Sequence, residues 1–331
     1  MTERLAPGTV IAFLWPEADF AATGVAAPAG AVLRFGHATD RAQAEAAVAG
    51  ADYIVTASGF GAIDADLLDM APNTRLVQLT GAGHDNVDRA ECARRAIPVA
   101  HVPGLNAPSV AQLVVQLAFR LRRPLPELTE AGYEAWTAAR ARNLGSQELG
   151  GLLGVIGYGN IGRQVAKLFT GLGLEVVRAA RAGQDDPSIP ALALDEVLAS
   201  ADVISVTLPA TPETRGLIDA RRIRLIKPGA ILINVGRGGI VDEAAVAAAL
   251  GDGRLAGVGF DVFVQEPLPV GHPFTTLAGE ARRRLILTPH IGGQTLQSKT
   301  RNFEVALDNV GRVARGQAPR YQLPAPVPGA A

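Results

Sequence analysis

The stretch Leu152-Leu153-Gly154-Val155-Ile156-Gly157-Tyr158-Gly159-Asn160-Ile161-Gly162-Arg163-Gln164-Val165-Ala166 decides the fold. Its first five residues are an apolar run of strand length, and Ile161 to Thr170 has the spacing of an amphipathic helix. Between them stand Gly157, Gly159 and Gly162. A phosphate-binding turn needs glycine where the backbone bends tightly and approaches a pyrophosphate. It also needs a helix start whose N–H groups and dipole face the anion. A G-x-G-x-x-G with both flanks in place predicts a strand–turn–helix unit that binds a dinucleotide.

Working outward, β-type runs continue downstream at Leu174–Val177, Val203–Leu208, Ile231–Val235, Gly257–Phe260 and Leu285–Leu287, making a six-strand doubly wound pattern with the first. Upstream the runs are Val10–Leu14, Val32–Phe35, Tyr53–Thr56, Leu76–Leu79 and Val99–His101, with helical stretches such as Arg41–Val48 and Asp64–Leu68 between them. Strand and helix in alternation predict an α/β fold with two doubly wound parallel sheets, each covered on both faces. The breaker Pro103-Gly104-Leu105-Asn106-Ala107-Pro108 places Asn106 and Pro108 where a cap and a first-turn proline belong. It opens a helix, Ser109 to Arg122, that is apolar on nearly every side, as for burial between domains or subunits, and that Pro124 and Pro126 end. The chain returns to helix at Ser298–Val313 before a Pro-rich tail. The expected domains are 1–102, 103–294 and 295–331, the last returning to the first.

A chain of 331 residues is long enough for two cores, since single cores stop growing at roughly 250 to 300 residues. With a net charge of -1, it has no field to draw nucleic acid or an anionic membrane, so the expected partner is a small molecule. Cys92 is the only cysteine, expected to be an inert, half-buried thiol in a reducing compartment, and it has no metal-ligand cluster beside it. Met1 to Leu14 lacks the basic start and cleavage site of a secretory signal, and no run of about 20 apolar residues occurs. The expectation is a soluble, cytoplasmic protein without a metal. Lysine occurs only at Lys167, Lys227 and Lys299, which carries no chemistry.

An acidic residue at the tip of the second strand normally holds the ribose 2'-hydroxyl of NAD. Here that strand runs into Ala179-Ala180-Arg181. An arginine neutralises a 2'-phosphate where an aspartate would repel it. NADP(H) is therefore the expected cofactor, with NAD(H) the other option, Arg181 the main 2'-phosphate ligand and Arg178 a second candidate.

Three more groups fall at the ends of predicted strands or their loops: Arg237 in Asn-Val-Gly-Arg-Gly-Gly, Glu266 before Pro267, and His290 in Thr-Pro-His-Ile-Gly-Gly. A 2-keto acid offers a carboxylate beside a carbonyl, and a planar guanidinium can hold both while polarising the carbonyl. The alkoxide that forms on reduction needs a proton, which an imidazolium can donate. A carboxylate on the other ring nitrogen fixes the tautomer and stabilises the protonated ring. Arg237, His290 and Glu266 fit these roles in that order, beyond the carboxyl edge of an open sheet.

At these residues the chain resembles the D-isomer specific 2-hydroxyacid dehydrogenase family, glyoxylate/hydroxypyruvate reductases in particular, over nearly its whole length. The likeness rests on Gly81-Ala82-Gly83-His84-Asp85-Asn86-Val87-Asp88, Pro103-Gly104-Leu105-Asn106, Thr211-Pro212-Glu213-Thr214-Arg215-Gly216-Leu217-Ile218 and Lys227-Pro228-Gly229-Ala230. It continues through Asn234–Asp242, Asp261-Val262-Phe263, Glu266-Pro267 and Pro289-His290-Ile291-Gly292-Gly293. The resemblance implies a Rossmann cofactor domain inserted into a flavodoxin-like substrate domain, an active cleft between them, and a homodimer. It implies cofactor contacts from Gly157, Tyr158, Gly159, Asn160, Ile161, Gly162, Ala180, Arg181, Leu208, Pro209 and Thr214. Val235, Gly236, Arg237, Asp261, His290 and Gly292 complete the set, with Asp261 orienting the nicotinamide. It also implies substrate contacts from Arg237 and from the loops holding Gly59, Phe60, Ala82 and Gly83. Neither loop offers arginine or lysine for a phosphate, which favours a small neutral 2-keto acid over 3-phosphoglycerate.

Departures from the family pattern are Gln112 for a glutamate and Gly151 for a lysine, and neither touches this chemistry. Trp136 lies in a segment that in some relatives reaches the neighbouring subunit, but its spacing is offset. His37, His84, His101 and His272 read as surface or loop histidines, His84 within the substrate loop. Two other readings use the same frame: a nucleotide-sensing co-repressor with little turnover, and a formate- or phosphite-type dehydrogenase.

Overall fold

The two alternating series fold as two parallel sheets in a computed structural model that describes residues 4–58, 61–125, 131–142, 147–181 and 186–326. One unit joins the chain ends, Met1–Asn106 with Gly293–Ala331, and the central unit is Ala107–Gly292.

In the end unit the strands are β1 (Arg4–Leu14), β2 (Ala29–Phe35), β3 (Tyr53–Thr56), β4 (Val77–Leu79) and β5 (Val99–Ala100). They lie in the order β2-β1-β3-β4-β5, all pairs parallel. β1 starts earlier than its apolar run because Arg4 also pairs with Ala29, across an irregularity before Thr9. Alternate strand residues face opposite sides: Ala12, Leu14, Ile54 and Leu79 pack in one cluster, and Ile11, Phe13, Tyr53 and Val55 in another. The second cluster is closed by Phe303, Ala306, Leu307 and Val310 of the helix Leu296–Ala314, so the carboxyl-terminal helix completes the amino-terminal sheet. Phe303 is fully buried, with its ring edge-on to Phe13 at 4.9 Å. Burial of such a side chain stabilises by about 1.5–3 kcal/mol, with ~1 kcal/mol more for the ring geometry.

The central unit holds β6 (Leu152–Ile156), β7 (Glu175–Ala179), β8 (Ala191–Leu192), β9 (Val203–Val206), β10 (Ile231–Asn234), β11 (Gly257–Phe260) and β12 (Leu285–Leu287), in the order β12-β11-β10-β9-β6-β7-β8. The sheet has seven strands where the sequence predicts six. The extra one, β8, is two residues long and pairs with Arg178 and Ala179, too short to show a period. Strand order reverses at β6, between β9 and β7, and a crevice forms beyond the strand ends at such a point. Leu153 and Val155 enter one core with Val165 and Phe169, while Ile156 enters the other with Ile204 and Leu232.

The helix Ala107–Arg122 starts before Ser109 and takes Pro108 into its first turn. It is not apolar all round. Val110, Val114 and Leu117 pack on the central sheet, and Gly257 lets the helix approach closely: a Cβ there would lie 3.0 Å from the Leu121 side chain. Phe119 and Arg120 are exposed. The division after Asn106 and Gly292 compares with expected breaks after 102 and 294. Leu105 stays with the end unit because its carbonyl accepts from Arg301, at 2.8 Å from Nη2.

Candidate active site

At the glycine turn, each glycine answers a different constraint. Gly157 has φ +105°, a region that L side chains avoid, and a Cβ there would lie 2.8 Å from the Leu208 nitrogen. A Cβ on Gly162 would lie 2.1 Å from the Gly157 oxygen, because the helix Asn160–Gly171 starts directly against the turn. Gly159, the N-cap of that helix, has nothing within 4 Å of a built Cβ, and no side chain caps the helix. Bare first-turn N–H groups beside open space are what an anionic pyrophosphate requires.

A cavity of about 610 Å³ opens at this turn. Gly157, Tyr158, Gly159, Ala180, Arg181, Leu208, Pro209 and Thr214 line it. Its apolar wall adds Ile156, Leu194 and Leu217, which fit a flat base, and its mouth adds Thr211 and Glu213. Arg181 is exposed there. A bond with the Thr211 side chain and, in lesser part, the Arg181 charge hold the Glu213 carboxyl below the ordinary carboxylate range.

Arg178 has a different place from Arg181. It is 4% exposed, with its guanidinium carbon 5.6 Å from the Tyr158 ring centre, and it does not line the cavity. Arg163 lies 4.6 Å from the same ring. The Tyr158 hydroxyl donates to Asp186 Oδ2 at 3.1 Å, which also accepts from Arg163 at 2.8 Å. Bonds from the Ser188 hydroxyl and N–H, with those from Tyr158 and Arg163, lower the Asp186 carboxyl to about 2.

The second constellation lies on the loops after β10, β11 and β12. Asn234, ending β10, accepts from the Gly236 N–H at 3.1 Å and donates to the Arg237 carbonyl at 3.2 Å, which shapes the turn carrying Arg237. Arg237 Nη1 donates to the Gly236 carbonyl at 2.9 Å. After β11, the Glu266 carboxylate accepts the Phe263 N–H at 2.9 Å through Oε1 and meets His290 Nδ1 at 2.7 Å through Oε2. Burial works to raise the Glu266 carboxyl. The bond and charge of His290, the Phe263 N–H and the Arg237 charge outweigh it and hold the carboxyl below its ordinary value. Glu266 and His290 are thus in direct contact, with Arg237 close enough to act on the carboxylate.

His290 adopts φ +53°, uncommon for a residue with a Cβ. The cause is next to it. Asp261 accepts from the Thr288 hydroxyl at 2.6 Å and from the Ile291 and Gly292 N–H groups at 2.9 and 2.8 Å, so residues 288–292 wrap one carboxylate with His290 at the bend. Gly292 is needed there, since a Cβ would lie 2.9 Å from Asp261 Oδ2. Burial raises the Asp261 carboxyl in spite of these bonds. Val235 and Gly236 are buried, Gly236 against the Leu208 backbone, and both lie outside the cavity lining. Asn160 and Ile161 form the first turn of the helix.

Of the expected substrate loops, Gly59 and Phe60 lie outside the described residues. Ala82 is described: its carbonyl accepts from His101 Nδ1 at 2.9 Å, and the His101 ring lies 6.2 Å from His84. Burial, then the Arg89 charge, push the His84 imidazole below its ordinary value. Both histidines thus have partners that the sequence does not reveal. His272 lies in a loop, as expected, but it is buried rather than at the surface and is bonded through Nε2 to Glu243 at 2.8 Å. Trp136 is exposed on the helix Tyr133–Arg142. Among the described residues no group of His, Cys, Asp and Glu could hold a metal, and no helix is long and apolar enough to cross a membrane.

A glycine turn at the switch point of a doubly wound parallel sheet, with an arginine, a carboxylate and an imidazole on the loops after neighbouring strands, places the chain among the Rossmann-type dinucleotide-binding proteins. The chain belongs to the D-isomer specific 2-hydroxyacid dehydrogenase family, whose NAD binding domain matches residues 115–292. It is 37% identical over 278 residues to D-3-phosphoglycerate dehydrogenase of Mycobacterium bovis, covering 81% of this chain and 50% of that protein, so it spans about half the length of such relatives. It is 33% identical over 267 residues to glyoxylate reductase of Thermofilum pendens, covering 78% of this chain and 77% of that one. A Thermus thermophilus protein known from its crystal structure superposes with a TM-score of 0.77 at 32% identity, over 95% of this chain and 99% of that one.

Proposed function

We propose that the chain is an NADP(H)-preferring oxidoreductase interconverting a small 2-keto acid and its D-2-hydroxy acid, with glyoxylate and hydroxypyruvate the substrates that fit best. The 2.7 Å contact between Glu266 and His290, with the Arg237 charge acting on the same carboxylate, carries this reading. In it, the Arg237 guanidinium holds the substrate carboxylate and carbonyl and draws electron density from the carbonyl carbon. A carboxylate oxygen accepts, so the Nδ1 of His290 carries a hydrogen toward Glu266, and the proton exchanged with the substrate oxygen is the one on Nε2. Glu266 keeps the ring in that tautomer and orientation.

The residues present fit a dinucleotide. Two glycines leave no room for a side chain, and Gly159 leaves room for phosphate. When bound, the reduced nicotinamide supplies the hydride. The tip of β7 offers Arg181 to the cavity and no carboxylate, which supports a 2'-phosphate there. The described loop Gly81–Gly83 carries no arginine or lysine, and burial disfavours charge on the neighbouring His84, which supports a substrate without a phosphate. In this reading the end unit takes the substrate through its backbone, the central unit takes the cofactor, and the chain acts as a homodimer in the cytoplasm.

The test is kcat/KM for glyoxylate, hydroxypyruvate and pyruvate with NADPH and with NADH, followed at 340 nm, and for 3-phosphoglycerate with both oxidised cofactors. Glyoxylate or hydroxypyruvate should lead, with NADPH favoured by at least about tenfold, the worth of one charge-assisted bond. Faster turnover of 3-phosphoglycerate would overturn the substrate class, and equal use of both cofactors the preference. NADPH binding without oxidation by any keto acid would point to the sensor reading. Light scattering after size exclusion checks the dimer.

A further inference from the structure

We propose that Glu243 and His272 are positioning residues for the acid pair, holding the Phe263–Val264 peptide from which Glu266 hangs; this rests on the roles given above to Glu266 and His290. Glu243 is 9% exposed and His272 8%. A buried carboxylate is costly unless its oxygens are occupied, and these are. Oε1 accepts the Val264 N–H at 2.8 Å, and Oε2 meets His272 Nε2 at 2.8 Å. His272 Nδ1 accepts the Phe274 N–H at 3.2 Å, so the ring's hydrogen sits on Nε2 and points at Glu243. One tautomer satisfies every contact.

The helix Glu243–Gly251 does not need this carboxylate, because Asp242 already caps it by accepting the Ala245 N–H at 2.9 Å. What Glu243 serves is the loop after β11. Successive N–H groups there go to two carboxylates, Phe263 to Glu266 and Val264 to Glu243. Gly238 also lies tight against this peptide: a Cβ there would be 2.0 Å from the Phe263 carbonyl carbon and 2.4 Å from the Val264 nitrogen. Gly238 follows Arg237, so the peptide registers the arginine turn against the Glu266 loop. Phe263 and Leu268 anchor the loop on the apolar core, while Val264 between them is 68% exposed and is held by its N–H bond to Glu243. Together with that apolar contact, the polar brace sets where Glu266 meets His290.

Glu243→Ala, Glu243→Gln and His272→Phe, each alone and combined with Glu266→Gln, test this in the full chain with glyoxylate and NADPH. Glu243→Ala and His272→Phe should lower kcat by about ten- to a hundredfold, the effect of a misplacement near 1 Å, with NADPH affinity kept. Glu243→Gln, which keeps an acceptor for the Val264 N–H, should retain more activity than Glu243→Ala and covers the case in which the alanine variant fails to fold. In the Glu266→Gln background, loss of Glu243 should cost little further, because groups acting as one unit are non-additive. Wild-type kcat in folded Glu243→Ala and His272→Phe proteins, or an equal loss with and without Glu266, overturns the brace. An active His290→Gln enzyme would instead overturn the acid pair itself, so the two failures are separable.

Discussion

Gly159→Ala and Gly162→Ala, three residues apart in one turn, should fail in opposite ways. At Gly162 the added methyl would lie 2.1 Å from the Gly157 oxygen and 3.1 Å from Val155 Cγ1, and both neighbours belong to the turn and its strand. Backbone cannot swing aside as a surface side chain can, so the overpacking cost lies in the upper part of the usual range, about 2–3 kcal/mol. Against it stands a gain of ~1 kcal/mol for alanine over glycine inside a helix, leaving a net loss of about 1–2 kcal/mol. For a unit of this size that lowers Tm by roughly 2–8 °C. At Gly159 no atom stands within 4 Å, so the methyl fits the empty protein and Tm should not move. The space it takes is the approach to the pyrophosphate, and NADPH affinity should fall by about tenfold or more. Thermal melts without cofactor and fluorescence titration with NADPH separate the two. A Gly162→Ala protein as stable as the parent, or a Gly159→Ala protein that binds NADPH normally, would refute the division of labour.

Arg181→Ala should raise KM for NADPH about tenfold and leave NADH use unchanged, while Glu213→Gln, removing a like charge from the same cavity, should favour NADPH by about two- to fivefold; steady-state kinetics with both cofactors would show the reverse order if the assignment is wrong. The Glu266 carboxyl is held low in the folded chain, so its contribution to stability is present above the ordinary value of about 4.3 and is lost as pH falls through the lowered one. The Tm gap between the parent and Glu266→Gln should therefore be full at neutral pH and close in acid, and a gap constant with pH would contradict the pairing. Burial pushes the Cys92 thiol up to about 11. Only the thiolate reacts, so the native protein should resist Ellman's reagent at pH 8 until unfolded, and a fast native reaction would dispute the buried position.

The strands and the glycine turn are legible in sequence because each is announced locally. Five residues of apolar run before three glycines mark β6 and its turn without help from the rest of the chain. β8 is not announced, since two residues carry no period and only their pairing with Arg178 and Ala179 makes them a strand. The cavity wall is equally silent, because Leu194 and Leu217 at its surface look in sequence like any core leucine. The histidines make the point most sharply. His272 and His290 each adjoin a proline in a loop, and what separates the brace from the acid pair is a partner carboxylate 29 residues before one and 24 before the other. Burial of Arg178 under Tyr158, against exposure of Arg181, likewise depends on which face of β7 each follows.

The central claim is that an imidazole on Glu266 passes the proton during reduction of a keto acid. Its most direct test is NADPH oxidation by His290→Gln with saturating glyoxylate, beside a titration of NADPH binding. The account predicts a kcat lower by about 10²- to 10⁴-fold with cofactor affinity little changed; turnover near that of the parent would contradict it.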